Sequence, residues 1–167
     1  PMEPRGTADP GPGALMVNMD QMEIKQLLAR ALYVFPGAIG VNNHMGSLFT
    51  ADQRVMSIVL KQIKSSGQLF LDSLTTSNSL VAQLGDKLNV PVVSRDVFLD
   101  DIDKEDEIVR RLREVERVAL EKGTAIAIGH PRVTTLRVLE KWLANLAEKK
   151  IRLAPLSAVA KTRLNRM

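Results

Sequence analysis

Short apolar runs alternate with segments of helical periodicity along nearly the whole chain, and each run closes on polar, chemically capable residues. Asn42, Asn43 and His44 close one run, Asp72 and Ser73 a second, Arg95 and Asp96 a third, and Gly129 and His130 a fourth. Strand and helix in alternation, without two-residue hairpin signals, dictates parallel βαβ units, because parallel neighbours need a crossover long enough to hold a helix. In such α/β sheets the carboxyl ends of the strands line the ligand crevice. The expectation is an α/β fold in which these four strand ends converge on one active site.

The local signals give the expected order. Residues 1–14, rich in Pro and Gly, read as a loop ahead of a single βα domain over 15–167. Met19, Met22, Leu27 and Ala31 approximate a helical stripe, followed by a strand over 38–41. Thr50 and Gln53 have capping-box form ahead of a helix to about Ser66, and Gly67 ends it before a strand over 69–71. Thr75, Thr76 and Ser77 can cap a short helix through Leu84, which leads to a strand over 90–93. Asp103 is read as the cap of a long helix with an acidic start at Glu105, Asp106 and Glu107 and a buried stripe of Ile108, Leu112, Val115 and Ala119. Strands over 124–128 and 151–154 flank a last helix beginning at Thr134. Five βα units are too few to close an eight-stranded barrel, so the sheet is open or upstream strands belong to it.

Composition removes several classes. With 167 residues and 45% hydrophobic content the chain can bury one sizeable core. No run approaches the roughly 18 apolar residues of a membrane span. There are no cysteines, which removes disulfides and thiolate nucleophiles and leaves His and carboxylate as metal ligands. After His130 the charge is strongly basic: Arg132, Arg137, Lys141, Lys149, Lys150, Arg152, Lys161, Arg163 and Arg166 face only Glu140 and Glu148. Aromatic residues are only 4%, and Trp142 alone among these bases does not make a basic stretch interleaved with stacking side chains, so nucleic-acid binding is not expected and a solvated helix face is. The opening at Pro1 reads as a piece of a longer polypeptide.

Each candidate residue carries a functional and a plainer reading. His44 is a metal ligand through neutral imidazole or a loop histidine bonded to backbone; Asn43 and Ser47 hold substrate or fix the loop. His130, pinned between Gly129 and Pro131, is a general acid or a satisfied strand-end histidine. Asp72 and Asp96 follow buried strands, where a charge must be solvated, paired or used; each is a metal ligand, a base or the cap of its loop. Arg95 orients a carboxylate or makes a structural ion pair. The run Asp100, Asp101, Ile102, Asp103 lacks the spacing and glycine of a calcium loop and is read as shielding a helix start. No glycine-rich phosphate loop and no Gly-x-Ser-x-Gly elbow is present, which leaves metal-assisted hydrolysis.

Taken together, residues 1–4 (PMEP), Gly37 with 40–47 (GVNNHMGS), Asp72 with Ser73, 95–100 (RDVFLD) and 126–131 (IAIGHP) resemble the divergent polysaccharide deacetylases. These are relatives of the zinc-dependent esterases that remove N-acetyl groups from chitin-like and peptidoglycan glycans. The resemblance implies an irregular (β/α) barrel, here partial with about five parallel strands. It implies a divalent metal, zinc being the expected ion, with His44 as a ligand. It makes His130 the strand-end acid that protonates the departing amine, with Arg95 and Asp96 supporting the catalytic carboxylate and Asp72 also in the catalytic set. It implies a carbohydrate substrate and a periplasmic or other extracytoplasmic place of action. In the family a paired aspartate motif and a histidine precede the PMEP segment, so both would lie ahead of Pro1. The alternative on the same fold is an envelope module that binds glycan or a protein without hydrolysis. A weaker third reading is a sugar-phosphate enzyme of an ordinary βα barrel.

Overall fold

In the computed structural model, residues 1–165 are described; Arg166, the last of the basic residues, lies outside them. The chain divides into two units, Pro1–Ser94 and Arg95–Met167.

In the first unit, α1 (Gln21–Tyr33) begins at a reciprocal cap, where the Asp20 carboxylate accepts from Met22 and Glu23 amides and the Glu23 carboxylate accepts from the Asp20 amide. Then come β1 (Gly40–Asn42), a 3-10 turn (Phe49–Ala51), α2 (Gln53–Ser65), β2 (Leu69–Asp72), α3 (Val81–Leu88) and β3 (Val92–Ser94). The cap of α2 is Asp52, whose carboxylate accepts from the Val55 amide, while Thr50 belongs to the preceding turn. The three strands form one parallel sheet in the order β1-β2-β3. Gly40 is required at its place: a Cβ there would lie 2.5 Å from Leu69 Cγ and 2.8 Å from the Leu69 carbonyl oxygen. α2 supplies the middle of the core with Val55, Met56, Val59, Leu60 and Ile63, packed with Ile24, Leu28, Phe49, Phe70, Val81 and Leu84. Residues 1–14 form no regular element, yet they are pinned. Met2 is buried and bridges both Leu15 and Met45, and its amide donates to the His44 carbonyl at 2.9 Å.

The second unit contains β4 (Val97–Phe98), α4 (Glu105–Lys122), β5 (Ala127–Ile128), α5 (Val133–Ala144), a 3-10 turn (Ala147–Lys149) and α6 (Leu156–Leu164). β4 and β5 pair in parallel. Ile108, Leu112 and Val115 of α4 pack on Val97, Leu99 and Val138, with Trp142 at the margin. Gly123 ends α4 at φ +78°, the left-handed conformation that suits glycine.

The partial (β/α) barrel expected from the sequence is not what forms. A barrel needs one staggered ladder running from strand to strand, whereas here the strands form two open sheets, of three and of two strands. The first ladder stops at Ser94 and a new one starts at Val97. There the Asp96 and Val97 amides both donate to the Ile126 carbonyl, at 2.8 and 3.2 Å, and the Ile126 amide is taken by the Asp96 side chain at 2.8 Å. A carboxylate thus stands in for a backbone acceptor at the start of β4. The strand expected over 151–154 is also absent: those residues pair in no ladder, and Arg152, Leu153 and Ala154 are exposed.

Candidate functional site

At the carboxyl end of β1 the loop carries His44 exposed and Asn43 buried. The Asn43 amide group is consumed internally: Nδ2 donates to the Met45 carbonyl at 2.8 Å, and Oδ1 accepts from the Ser73 amide at 2.8 Å. Ser73 Oγ returns a bond to the Asn43 carbonyl at 2.6 Å, and Asn42 Nδ2 donates to that hydroxyl at 3.1 Å. The ends of β1 and β2 are thereby stitched together. The stitching holds two non-glycine residues in the left-handed region, Met45 beside His44 (φ +55°) and Leu74 after Ser73 (φ +47°). Asp72 is buried with both oxygens engaged, Oδ1 by the Leu74 amide at 2.8 Å and Oδ2 by the Ser79 hydroxyl at 2.6 Å. Ser47 Oγ accepts from the Arg5 amide at 2.8 Å. In this unit the structure brings His44, Asn43 and Asp72 to the ends of adjacent strands, and spends the polar side-chain atoms of Asn43 and Asp72 on loop geometry.

The second unit is built differently. Asp100, wholly buried, follows β4; His130, with its side chain 37% exposed, follows β5. Asp100 Oδ2 accepts from the His130 amide at 2.7 Å and from the Thr135 hydroxyl at 2.8 Å, while Oδ1 faces His130 Nδ1 at 3.0 Å. Burial pushes the Asp100 carboxyl up, but the Thr135 hydroxyl, the His130 amide and the His130 ring outweigh it and hold it below the usual carboxylate value. An ionised Asp100 only accepts, so Nδ1 is the donating ring nitrogen in this contact. Arg132 donates to the Asp100 carbonyl at 2.7 Å. The Phe98 ring lies 5.5 Å from the His130 ring, and the Arg95 guanidinium stands 5.1 Å over Phe98. Arg95 therefore reaches the histidine through an aromatic ring.

Asp96 stands at the other end of the same ladder, ahead of β4. It bonds to Arg163 from α6, to Lys122 at 3.3 Å and to the Ile126 amide. Burial raises its pKa, and these three partners together lower it below the ordinary value. Its carboxylate holds the unit together and is not brought to His130. Asp100 and Thr135 are the pair that sequence reasoning missed. The available signal was the strand-end position of Asp100 after the Val97, Phe98, Leu99 run, obscured by the acidic residues that follow.

A catalytic zinc takes three protein ligands and keeps an open position. Among the described residues no group of three or more His, Cys, Asp or Glu is placed to share an ion. His44 is one imidazole, and Asp72 has both oxygens committed. The described residues therefore do not make up the metal centre that the family implies.

Parallel βα units with a buried carboxylate bonded to a strand-end histidine place each unit in the α/β class. Residues 1–160 match the family model "Divergent polysaccharide deacetylase", and the chain belongs to that family. It is 34% identical over 148 residues to an uncharacterized protein of Haemophilus influenzae, covering 89% of this chain and 53% of that protein. To the uncharacterized protein YibQ of Escherichia coli K12 it is 34% identical over 146 residues, 87% of this chain and 46% of that protein. The chain thus spans about half the length of these curated relatives. A crystal structure of an uncharacterized protein from Agrobacterium tumefaciens matches with a TM-score of 0.91 at 28% identity, over 95% of this chain and 65% of that one.

Proposed function

We propose that the chain supplies the proton-transfer half of a carbohydrate deacetylase that acts on N-acetylated envelope glycans outside the cytoplasm. The observation that carries this reading is the Asp100–His130 dyad, a buried carboxylate holding Nδ1 of a ring whose side chain is 37% exposed. Hydrolysis of an N-acetyl group adds water across the amide and yields acetate and a free amine. His130 in its charged form gives its Nε2 proton to the departing amine nitrogen, and Asp100 balances the imidazolium before that transfer. Asn43 and Ser73 keep the His44 loop in shape. Within the second unit Arg95 backs the His130 ring through Phe98.

Zinc enters this reading only through the family, and the described residues do not supply a complete set of three ligands for it. The Met2 amide is bonded to the His44 carbonyl, so sequence joined ahead of Pro1 would begin next to that loop. The test is acetate release from N-acetylated glucosamine oligomers. It would compare this chain, a version lengthened at its amino terminus, and the lengthened version carrying His130→Ala or Asp100→Asn. Release by the lengthened form, reduced roughly 10²–10⁴-fold by either substitution, supports the reading. Release insensitive to both sinks it. The incomplete metal set favours a second reading, glycan binding without hydrolysis; oligomer binding with no acetate release from any form would favour that one.

A further inference from the structure

In a parallel βα unit the helices run back against the strands, so helix carboxyl ends and strand starts share one end of the unit. The first unit shows this end directly. Gln68, between α2 and β2, donates from Nε2 to the Ala38 carbonyl ahead of β1 at 2.8 Å, and Lys64 Nζ donates to the Leu88 carbonyl at the end of α3 at 2.7 Å. The chain leaving α1 turns here, the Ala38 amide donating to the Phe35 carbonyl at 3.2 Å. It carries Tyr33, Val34, Phe35 and Ile39, which are between 60% and 85% exposed. The charge around this tip is of one sign. Residues 24–71 hold Lys25, Arg30, Arg54, Lys61 and Lys64 against a single acid, Asp52, which caps α2 at its opposite end. Arg30, Lys64 and Lys87 are the bases of the last turns of α1, α2 and α3, and among those turns Asp86 alone is acidic.

We propose that this end of the first unit docks on the surface of an anionic lipid bilayer. Tyr33, Val34, Phe35 and Ile39 enter the boundary between headgroups and acyl chains, while Arg30, Lys64 and Lys87 meet lipid phosphates. Bases in a last turn also answer the helix dipole. The dipole does not call for an apolar tip held in solvent, whereas aromatic side chains on a turn with bases beside them are what an interfacial anchor needs. The long stems of Lys and Arg can lie along apolar surface while their charges stay at phosphate level. A second copy of the chain fits this end less well, because a two-fold contact would set Arg30, Lys64 and Lys87 against the same three residues. The cores of protein interfaces are also depleted in lysine. The His44 loop follows β1 at the opposite end of the sheet, so docking here leaves that loop on the side away from the bilayer. The inference is independent of proton transfer by His130.

The test is sedimentation of the chain with vesicles of equal parts phosphatidylcholine and phosphatidylglycerol, and with vesicles of phosphatidylcholine alone, at protein concentrations where light scattering reports a monomer. Binding to the anionic vesicles is expected, and it should weaken as salt rises. Arg30→Gln with Lys87→Gln should reduce it about fivefold for each base removed. Tyr33→Ser with Phe35→Ser should reduce it roughly tenfold or more. The chain has no cysteine, so a polarity-sensitive dye attached to Ile39→Cys reads insertion, and the same dye on Asn78→Cys, in the loop after β2, is the control from the other end of the sheet. The dye should shift to the blue on anionic vesicles at the first position and not at the second. Binding unchanged by the Tyr33 and Phe35 substitutions, or an equal dye shift at both positions, overturns the proposal. A tip-dependent dimer with no vesicle binding overturns it as well and makes a second copy the occupant. A form lengthened at its amino terminus is run alongside; its failure to bind while the shorter chain binds would assign the tip to the added segment and overturn the proposal.

Discussion

The two units place polar residues at the ends of parallel strands and use them in contrasting ways. In Pro1–Ser94 the strand-end side chains Asn43, Ser73 and Asp72 bond mainly to loop backbone, and they fix left-handed turns beside an exposed His44. In Arg95–Met167 the buried carboxylate of Asp100 is aimed at a ring that is itself half in solvent. Loop-holding carboxylates define where a ligand-bearing loop sits; a carboxylate bonded to a histidine defines what that histidine does with a proton. Burial and strand-end position are common to Asp72 and Asp100, so neither property alone separates architecture from chemistry. The identity of the bonded partner does.

The largest expected effect comes from deleting the carboxylate on each side. Asp100→Ala leaves the His130 amide and the buried Thr135 hydroxyl without an acceptor, at roughly 1–3 kcal/mol each, so a loss of about 3–5 kcal/mol is expected. Asp72→Ala strands the Leu74 amide and the Ser79 hydroxyl, which are less deeply buried, and should cost about 1–3 kcal/mol. Urea unfolding can be followed through Trp142, the one tryptophan, for the second unit, and through the His44 ring resonances for the first. Equal losses at the two sites would erase the distinction drawn between them.

What the sequence made legible was local. The apolar runs over 69–71 and 90–93, the helix with Ile108, Leu112 and Val115, and the strand-end placing of His44 and His130 can all be read from periodicity and punctuation. Partnerships between distant residues cannot. Asp100 lies 30 positions from His130 and sits in an acidic run, so by pattern it belongs to the start of α4, and only the pairing of β4 with β5 delivers it to the ring. The same limit explains the barrel. A run such as 92–98 shows that strand is favoured, but which ladder each residue joins depends on Asp96 taking the Ile126 amide, a contact across 30 residues. The amino-terminal loop was legible as irregular, while the burial of Met2 against Leu15 and Met45 was not, since a lone methionine among Pro and Gly carries no periodicity.

Acid gives the next effect and sharpens the comparison. Asp96, Asp100 and Glu116 all belong to the second unit, and each is held below its ordinary value although burial pushes it up; for Glu116 the opposing partners are Lys149, the Trp142 ring N–H and Arg113. A carboxylate lowered in the folded state contributes stability that is complete above its unfolded value, about 3.9 for Asp and 4.3 for Glu, and is lost as pH falls through the lower folded value. The urea midpoint read by Trp142 should therefore fall between pH 5 and pH 3, and Asp96→Asn should flatten that fall while lowering the plateau by about 1–3 kcal/mol. A midpoint independent of pH across this window would mean that the three carboxylates are not held by these partners.

The smallest effect concerns what the first unit leaves in solvent. Tyr33 and Phe35 are 85% and 73% exposed at the end of α1, beside exposed Val34 and Ile39. Side chains this exposed contribute little packing, so Tyr33→Ser with Phe35→Ser should alter the stability of the first unit by no more than about 0.5 kcal/mol. By contrast, Leu60→Ala in the core should cost about 2–5 kcal/mol. A clustered apolar surface still promotes self-association, so light scattering should show less concentration-dependent growth for the double variant than for the unaltered chain. The two measurements separate surface from core. A stability loss above about 1 kcal/mol in the double variant would show that these residues are covered, and the first unit would then have to be redrawn with the end of α1 inside its packed core rather than on its surface.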